Sequence, residues 1–238
     1  MKIKLPHAIA LAIDEQERLL PAIQNGEETL RHTETLLKGL RLLDIPILIT
    51  QQYTKGLGMS APSLFEAAGT DSWLEKRTFS CLGDEIIRKT LQDSHKKQVI
   101  VCGVEAHICV EQTVLDLLHL GYEVFLIADC VSSRKSSDLQ TAIRRMAQAG
   151  AVVTSYEAIL FELMEPSMQF VAFGMDESVA IDNDGISSDI MEADDENLNL
   201  DALPDDLRNR FSEELQNAVK LDESTYADLY NVVTINDD

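Results

Sequence analysis

Short apolar runs alternate with amphipathic stretches along the first two thirds of the chain, and no other feature narrows the choice of fold as much. HAIALAID (7–14), PILIT (46–50), QVIVCG (98–103), EVFLIAD (123–129) and AVVTS (151–155) read as strands, and SWLEKRTFS (72–80) is mixed but strand-like. Between them, 27–43, 83–94, 107–120, 136–149 and 156–164 read as helices; Leu30, Leu36, Leu37, Leu40 and Leu43 form the stripe of the first. KGLGMSAPS (55–63) is rich in Gly, Ser and Pro and reads as a loop. Strands alternating with helices imply parallel βαβ units, and right-handed crossovers place the helices on both faces. The expected fold is therefore a three-layer α/β/α sandwich with a mainly parallel sheet, spanning residues 1–164.

The alternation stops after Met164, and the charge changes with it. Residues 165–238 hold 20 Asp and Glu against 3 Lys and Arg, whereas residues 1–164 hold 21 against 17, so the net charge of −21 belongs mainly to an acidic C-terminal extension. Within it, 182–197 reads as an acidic linker. Leu200, Leu203, Leu207, Phe211 and Leu215 then recur at helical spacing, and Tyr226, Leu229, Tyr230 and Val233 suggest a short second helix. These helices are expected to cover the body or a sister subunit, with docking of a dedicated partner as the alternative. Such a surface repels phosphate backbones, so nucleic acid is not an expected partner. No apolar run approaches the roughly 20 residues that span a bilayer, and MKIKLPHAIALAID reads as a first strand rather than an export signal. Four cysteines (81, 102, 109 and 130) without CxxC or zinc-like spacing fit reduced thiols in the cytoplasm.

In parallel sheets, ligands gather beyond the carboxyl ends of the strands. Asp14 ends the first strand, Gln51 and Gln52 follow the second, and Cys109 follows the strand at 98–103. Lys76 lies in the segment between. An acid, a base and a thiol are thus directed to one edge. Cys109 stands where a strand gives way to a helix. There, free backbone N–H groups and the helix dipole would favour a thiolate and stabilise an oxyanion. A small buried cysteine of no chemical consequence is the competing reading. GLG at 56–58 lacks the strand–turn–helix setting of a phosphate loop.

AIDEQ (12–16), EKRTFSCL (75–82), CGVEAHICV (102–110) and LGYEVFLIADCVSSR (120–134), taken in order, resemble the motifs of the isochorismatase-like cysteine hydrolases. Within that superfamily, QQYTKGLG (51–58), EKRTFSC and GVEAHICV are most like the poorly characterised isochorismatase-domain proteins. The resemblance covers roughly residues 5–164 and leaves the extension unexplained. It implies a triad of Asp14 as general base, Lys76 as the lysine and Cys109 as nucleophile on the fold already expected. It also implies a cis peptide between Val104 and Glu105, which would aim the Glu105 and Cys109 amides at one oxyanion. Arg77 is the neighbouring alternative to Lys76, but its near-permanent charge suits proton handling less well.

Nicotinamidases of this superfamily hold a metal through an Asp and histidines after the second strand, whereas residues 51–72 contain no histidine. No metal and no cofactor are therefore expected. Gln52, Tyr53 and Phe79 are candidate pocket residues. His107 is another, with a locally packed ring as its competing reading. The expected activity is metal-independent hydrolysis of a small amide or related carbonyl compound, proceeding through a Cys109 thioester. Alternatives are a vinyl-ether hydrolase in which Asp14 does the proton work, and an idle interaction protein using its acidic tail. A homo-oligomer is expected, since apolar tail helices suit an interface.

Overall fold

The computed structural model describes the backbone of residues 1–171 and the side chains of residues 1–164. The expected acidic linker and both amphipathic helices of the extension lie outside the described residues. The elements run β1 (Ala8–Ile13), α1 (Gly26–Leu42), β2 (Ile47–Gln52), α2 (Thr54–Leu57), α3 (Pro62–Ala68), β3 (Leu74–Lys76), α4 (Glu85–Asp93) and β4 (Gln98–Val104). A π-turn (Ala106–Val110) leads into α5 (Glu111–His119), followed by β5 (Glu123–Ser132), α6 (Ser136–Ala149), β6 (Val152–Thr154) and α7 (Tyr156–Val171).

The six strands form one parallel sheet in the order β3-β2-β1-β4-β5-β6. From β1 the chain winds outward to β3, returns to lay β4 beside β1, and winds outward the other way. The order reverses between β1 and β4, so a crevice opens past their carboxyl ends. Both strands are buried along their whole length, which is why each reads as a nearly unbroken apolar run. On one face, Ile9, Leu11 and Ile13 pack with Val99 and Val101 against Ile87 and Leu91 of α4, Val114 and Leu117 of α5, and Ala142 and Met146 of α6. Burying each such large aliphatic side chain contributes about 1.5–3 kcal/mol. α1 covers the opposite face, touching β5, β4 and β2. A Cβ on Gly39 would fall 2.6 Å from a methyl of Leu160, so α1 and α7 meet at close range in that layer.

One glycine is required where the site begins. Gly103 has φ +114°, and a Cβ there would lie 2.1 Å from the Ile13 carbonyl oxygen. Only glycine lets β4 pass this close to the end of β1. Elsewhere the boundaries shift for local reasons. The loop expected over 55–63 ends inside α3, a helix of seven residues with Pro62 in its first turn, too short to show a periodic stripe. The strand-like segment 72–80 pairs over only three residues, Leu74–Lys76, and β5 runs on to Ser132 through a register shift against β4. Asp84 caps α4 by accepting from the amides of Ile86 and Ile87 at 3.0 and 3.2 Å.

Candidate active site

Three strands deliver the three residues. Asp14 follows β1 directly, in a left-handed conformation (φ 56°) that a short polar side chain tolerates. Its amide donates to the Thr50 carbonyl of β2 at 3.2 Å. The Thr50 hydroxyl donates to Asp14 Oδ1 at 2.9 Å, and Lys76 Nζ donates to Oδ2 at 2.5 Å. Lys76 is the last residue of β3, paired with Gln52 of β2. Its ammonium also donates to Gln52 Oε1 (2.7 Å), the Phe79 carbonyl (3.1 Å) and the Thr78 carbonyl (3.3 Å). Lysine and aspartate are both wholly buried. A buried charge pair persists only where further hydrogen bonds satisfy it, and this one has them.

The Cys109 thiol lies close enough to Asp14 and Lys76 for both charges to act on it. It is not at the start of a regular α-helix: it is the fourth residue of the π-turn, in which the Glu105 carbonyl accepts from the amides of both Ile108 (3.0 Å) and Val110 (3.3 Å). The Val104–Glu105 peptide is cis, as the resemblance implies. Cys109 is buried but 7% exposed, whereas Cys81, Cys102 and Cys130 have no exposure at all.

Electrostatics differ from the sequence expectation in one respect. Burial, then the charge of Asp14, push the Cys109 thiol up to about 12, against the opposing pull of Lys76. The helix-start argument anticipated a lowered value; in the folded chain, desolvation and a neighbouring carboxylate outweigh the dipole. The resting thiol is therefore protonated. Burial likewise raises Asp14, against the pull of Lys76. For Lys76, burial works downward, but the charge of Asp14, joined by Cys81 and Cys109, leaves it raised. The thiol is thus under the influence of a buried carboxylate and of the ammonium paired with it.

The other candidates divide. Gln52 belongs to the lysine's shell: its amide oxygen accepts from Nζ, while its amide nitrogen donates to the Arg77 carbonyl at 3.2 Å. Tyr53 (39% exposed) carries the Arg77 guanidinium over its ring at 4.1 Å, and Phe79 (55% exposed) offers its carbonyl to Lys76 while its ring faces solvent. Arg77 is thus on the outside, and Lys76 is the cation of the site. His107 turns elsewhere, with Nδ1 at 2.9 Å from Ser133 Oγ and Nε2 at 3.9 Å from Asp138, the locally packed arrangement. Glu105 is buried, its carboxylate held by the Arg134 amide (3.1 Å) and Nε (2.9 Å).

Residues not singled out beforehand support this shell. Gln16 is buried and bonds β2 and the segment after it, donating to the Gln52 (3.1 Å) and Gly58 (2.6 Å) carbonyls and accepting from the Gln52 amide (2.8 Å). Thr50 steadies Asp14. Glu15, next to Asp14, is fully buried. Its Oε1 accepts from Thr33 at 2.8 Å, its Oε2 has no partner among the described residues, and burial pushes its carboxyl up to about 8. Among the described residues, no group of three or more His, Cys, Asp or Glu is arranged to hold a metal ion, and no helix is long and apolar enough to cross a membrane.

Comparison with known proteins shows the family of the chain. Residues 8–158 match the model of the isochorismatase domain. Isochorismatase domain-containing protein 1 of Danio rerio is 34% identical over 157 residues, a stretch covering 66% of this chain and 55% of that protein; the chain thus spans about half the length of this relative. The MAR1 ribonuclease structure from Caenorhabditis elegans superposes with a TM-score of 0.66 at 31% identity, covering 79% of this chain and 99% of that one. YcaC of Escherichia coli, an octameric hydrolase of unknown specificity, shares the fold with a TM-score of 0.68 at 22% identity over 72% of this chain and 86% of its own. The family model and the described sheet cover the same residues, and the chain belongs to the isochorismatase domain family.

Proposed function

We propose that the protein is a metal-independent cysteine hydrolase of a small amide or related carbonyl compound. The observation that carries this reading is the buried meeting of the Asp14 carboxylate, the Lys76 ammonium and the Cys109 thiol, with Lys76 Nζ 2.5 Å from Asp14. Asp14 takes the thiol proton as Sγ attacks the carbonyl carbon. Lys76 offsets the negative charge then shared by carboxylate and sulfur. The Glu105 and Cys109 amides receive the oxyanion. The C–N bond breaks as Asp14 returns the proton to the leaving amine, giving a thioester. Water, deprotonated by Asp14, attacks that thioester and releases the acid and the free thiol.

The raised thiol favours a second reading, a vinyl-ether hydrolase in which Asp14 alone handles the proton. Incubation with small primary amides, read as ammonia released, and with a small vinyl ether, read as the carbonyl compound formed, separates the two. In the first, amides turn over and Cys109→Ala loses both ammonia release and the acyl-enzyme mass; in the second, only the vinyl ether turns over and Cys109→Ala keeps that turnover. Phosphodiester cleavage, suggested by the name of the Caenorhabditis relative, fits a chain of net charge −21 poorly. Residues 165–238 form an acidic extension to the catalytic body, and assembly into a homo-oligomer is in keeping with the octameric YcaC.

A further inference from the structure

The proposed chemistry needs a fixed separation between an ammonium and a thiol that arrive on different elements, and two side chains of α5 bridge those elements. The Thr113 hydroxyl is wholly buried. It donates to the Cys109 carbonyl at 2.6 Å and accepts from the Cys81 amide at 3.0 Å, so its one proton and one of its lone pairs are both committed. One helical turn on, Asp116 accepts from the Ser80 hydroxyl at 2.6 Å, and that hydroxyl accepts from the Leu82 amide at 3.2 Å. Residues 78–81 form the turn whose Thr78 and Phe79 carbonyls receive the Lys76 ammonium, and Thr78 Oγ1 closes it by donating to the Ser80 carbonyl at 2.7 Å. Thr113 and Asp116, three residues apart, lie on one face of the helix and grip consecutive residues, Cys81 and Ser80. The same helix begins directly after the turn that carries Cys109.

From this we infer that Thr113 and Asp116 are positioning residues, a two-point brace that sets how far the Lys76 ammonium stands from the Cys109 sulfur. The inference rests on the triad reading above and adds to it. Neither residue touches the reacting atoms. Thr113 acts through the Cys109 carbonyl and the Cys81 amide, and Asp116 acts through Ser80. Without the inner brace, the Cys81 amide loses its acceptor, the 78–81 turn relaxes, and the lysine's charge moves away from the sulfur. The thiol then ionises less readily.

A general loosening and a displaced lysine have opposite signatures. Loosening exposes a buried thiol and speeds its alkylation; withdrawing a positive charge slows it. The test is iodoacetamide labelling of the full chain from pH 7 to 9.5, followed by mass spectrometry of the peptide containing Cys109. Below the thiol pKa the labelling rate follows the thiolate fraction. A rise of one pKa unit in Thr113→Val therefore lowers the rate about tenfold at every pH. Thr113→Ser, which keeps the hydroxyl, stays within about threefold of the unaltered chain, and Ser80→Ala, at the outer brace, falls between. Should Thr113→Val not fold, as read by circular dichroism, Thr113→Ser against Ser80→Ala carries the same comparison. An unchanged or faster rate in Thr113→Val, or in Ser80→Ala where that stands in, overturns the brace and leaves the hydrolase reading untouched. If Cys109 in the unaltered chain labels no faster than fully buried Cys81, the triad reading fails instead, and the brace with it.

Discussion

Replacing Lys76 with methionine keeps the unbranched stem and removes the charge, and the consequence is calculable from the site. The ammonium donates to Asp14, Gln52 and the carbonyls of Thr78 and Phe79, all from a position with no solvent exposure. Removing one member of a buried ion pair leaves an uncompensated charge and costs about 3–5 kcal/mol. Asp14 can escape part of that cost by taking up a proton. Burial already holds its folded pKa above the unfolded value, and loss of Lys76 raises it further. A raised carboxyl pKa means that the folded state binds more protons than the unfolded one, so stability falls as pH rises toward the folded value. Lys76→Met is therefore less destabilised at pH 5 than at pH 8, with a difference of at least about 1–2 kcal/mol, since each unit of differential shift is worth about 1.4 kcal/mol. Asp14→Asn combined with Lys76→Met removes the orphan charge and is less destabilised than the two single changes added together. Urea unfolding followed by far-ultraviolet circular dichroism, at both pH values, measures each quantity. A pH-independent loss, or strict additivity in the double variant, would refute the buried ion pair as the organising element of the site.

Two further outcomes follow from neighbouring residues. Glu15→Gln stabilises the fold at pH 8 and above by an amount on the order of a few kcal/mol, and the gain disappears near pH 4.5, because Glu15 is raised from 4.5 to about 8 and its protonation favours the folded state only below that window; melting temperature against pH checks it. Gly103→Ala sets a methyl 2.1 Å from the Ile13 carbonyl at φ +114°, so it loses several degrees of melting temperature and most of its amide turnover together. Intact turnover in a destabilised Gly103→Ala would separate the strand crossing from the site.

The parts of this molecule legible in its sequence are those with both faces buried or a regular period. β1 and β4 stand out because every residue in them is buried, and α6 falls on Ser136–Ala149, the range its spacing predicts. The lysine's strand was harder to read, since three paired residues followed by a turn leave no alternation to detect. The π-turn under Cys109 is hidden for a related reason: five residues depart from the 3.6 period without interrupting the apolar pattern around them. Asp14 and Cys109 stood out as an acid and a thiol beyond strand ends, and Lys76 as a base in the segment between them. Thr50, Gln16 and Thr113 did not, because a buried hydroxyl or amide that supports another side chain has no sequence pattern of its own. The direction of the thiol's shift required coordinates, since it depends on how deeply the sulfur lies and which charge it faces.

β3 is one of the sheet's two edge strands and only three residues long, yet it supplies the lysine, while the acid and the thiol follow the two innermost strands. The cation is thus moored at the margin of a structure whose centre carries the other two. Margins fray before centres do. Competence for chemistry is accordingly a more fragile property of this fold than the fold itself: a molecule can keep its core and most of its sheet and, with one short strand adrift, have no functioning centre at all.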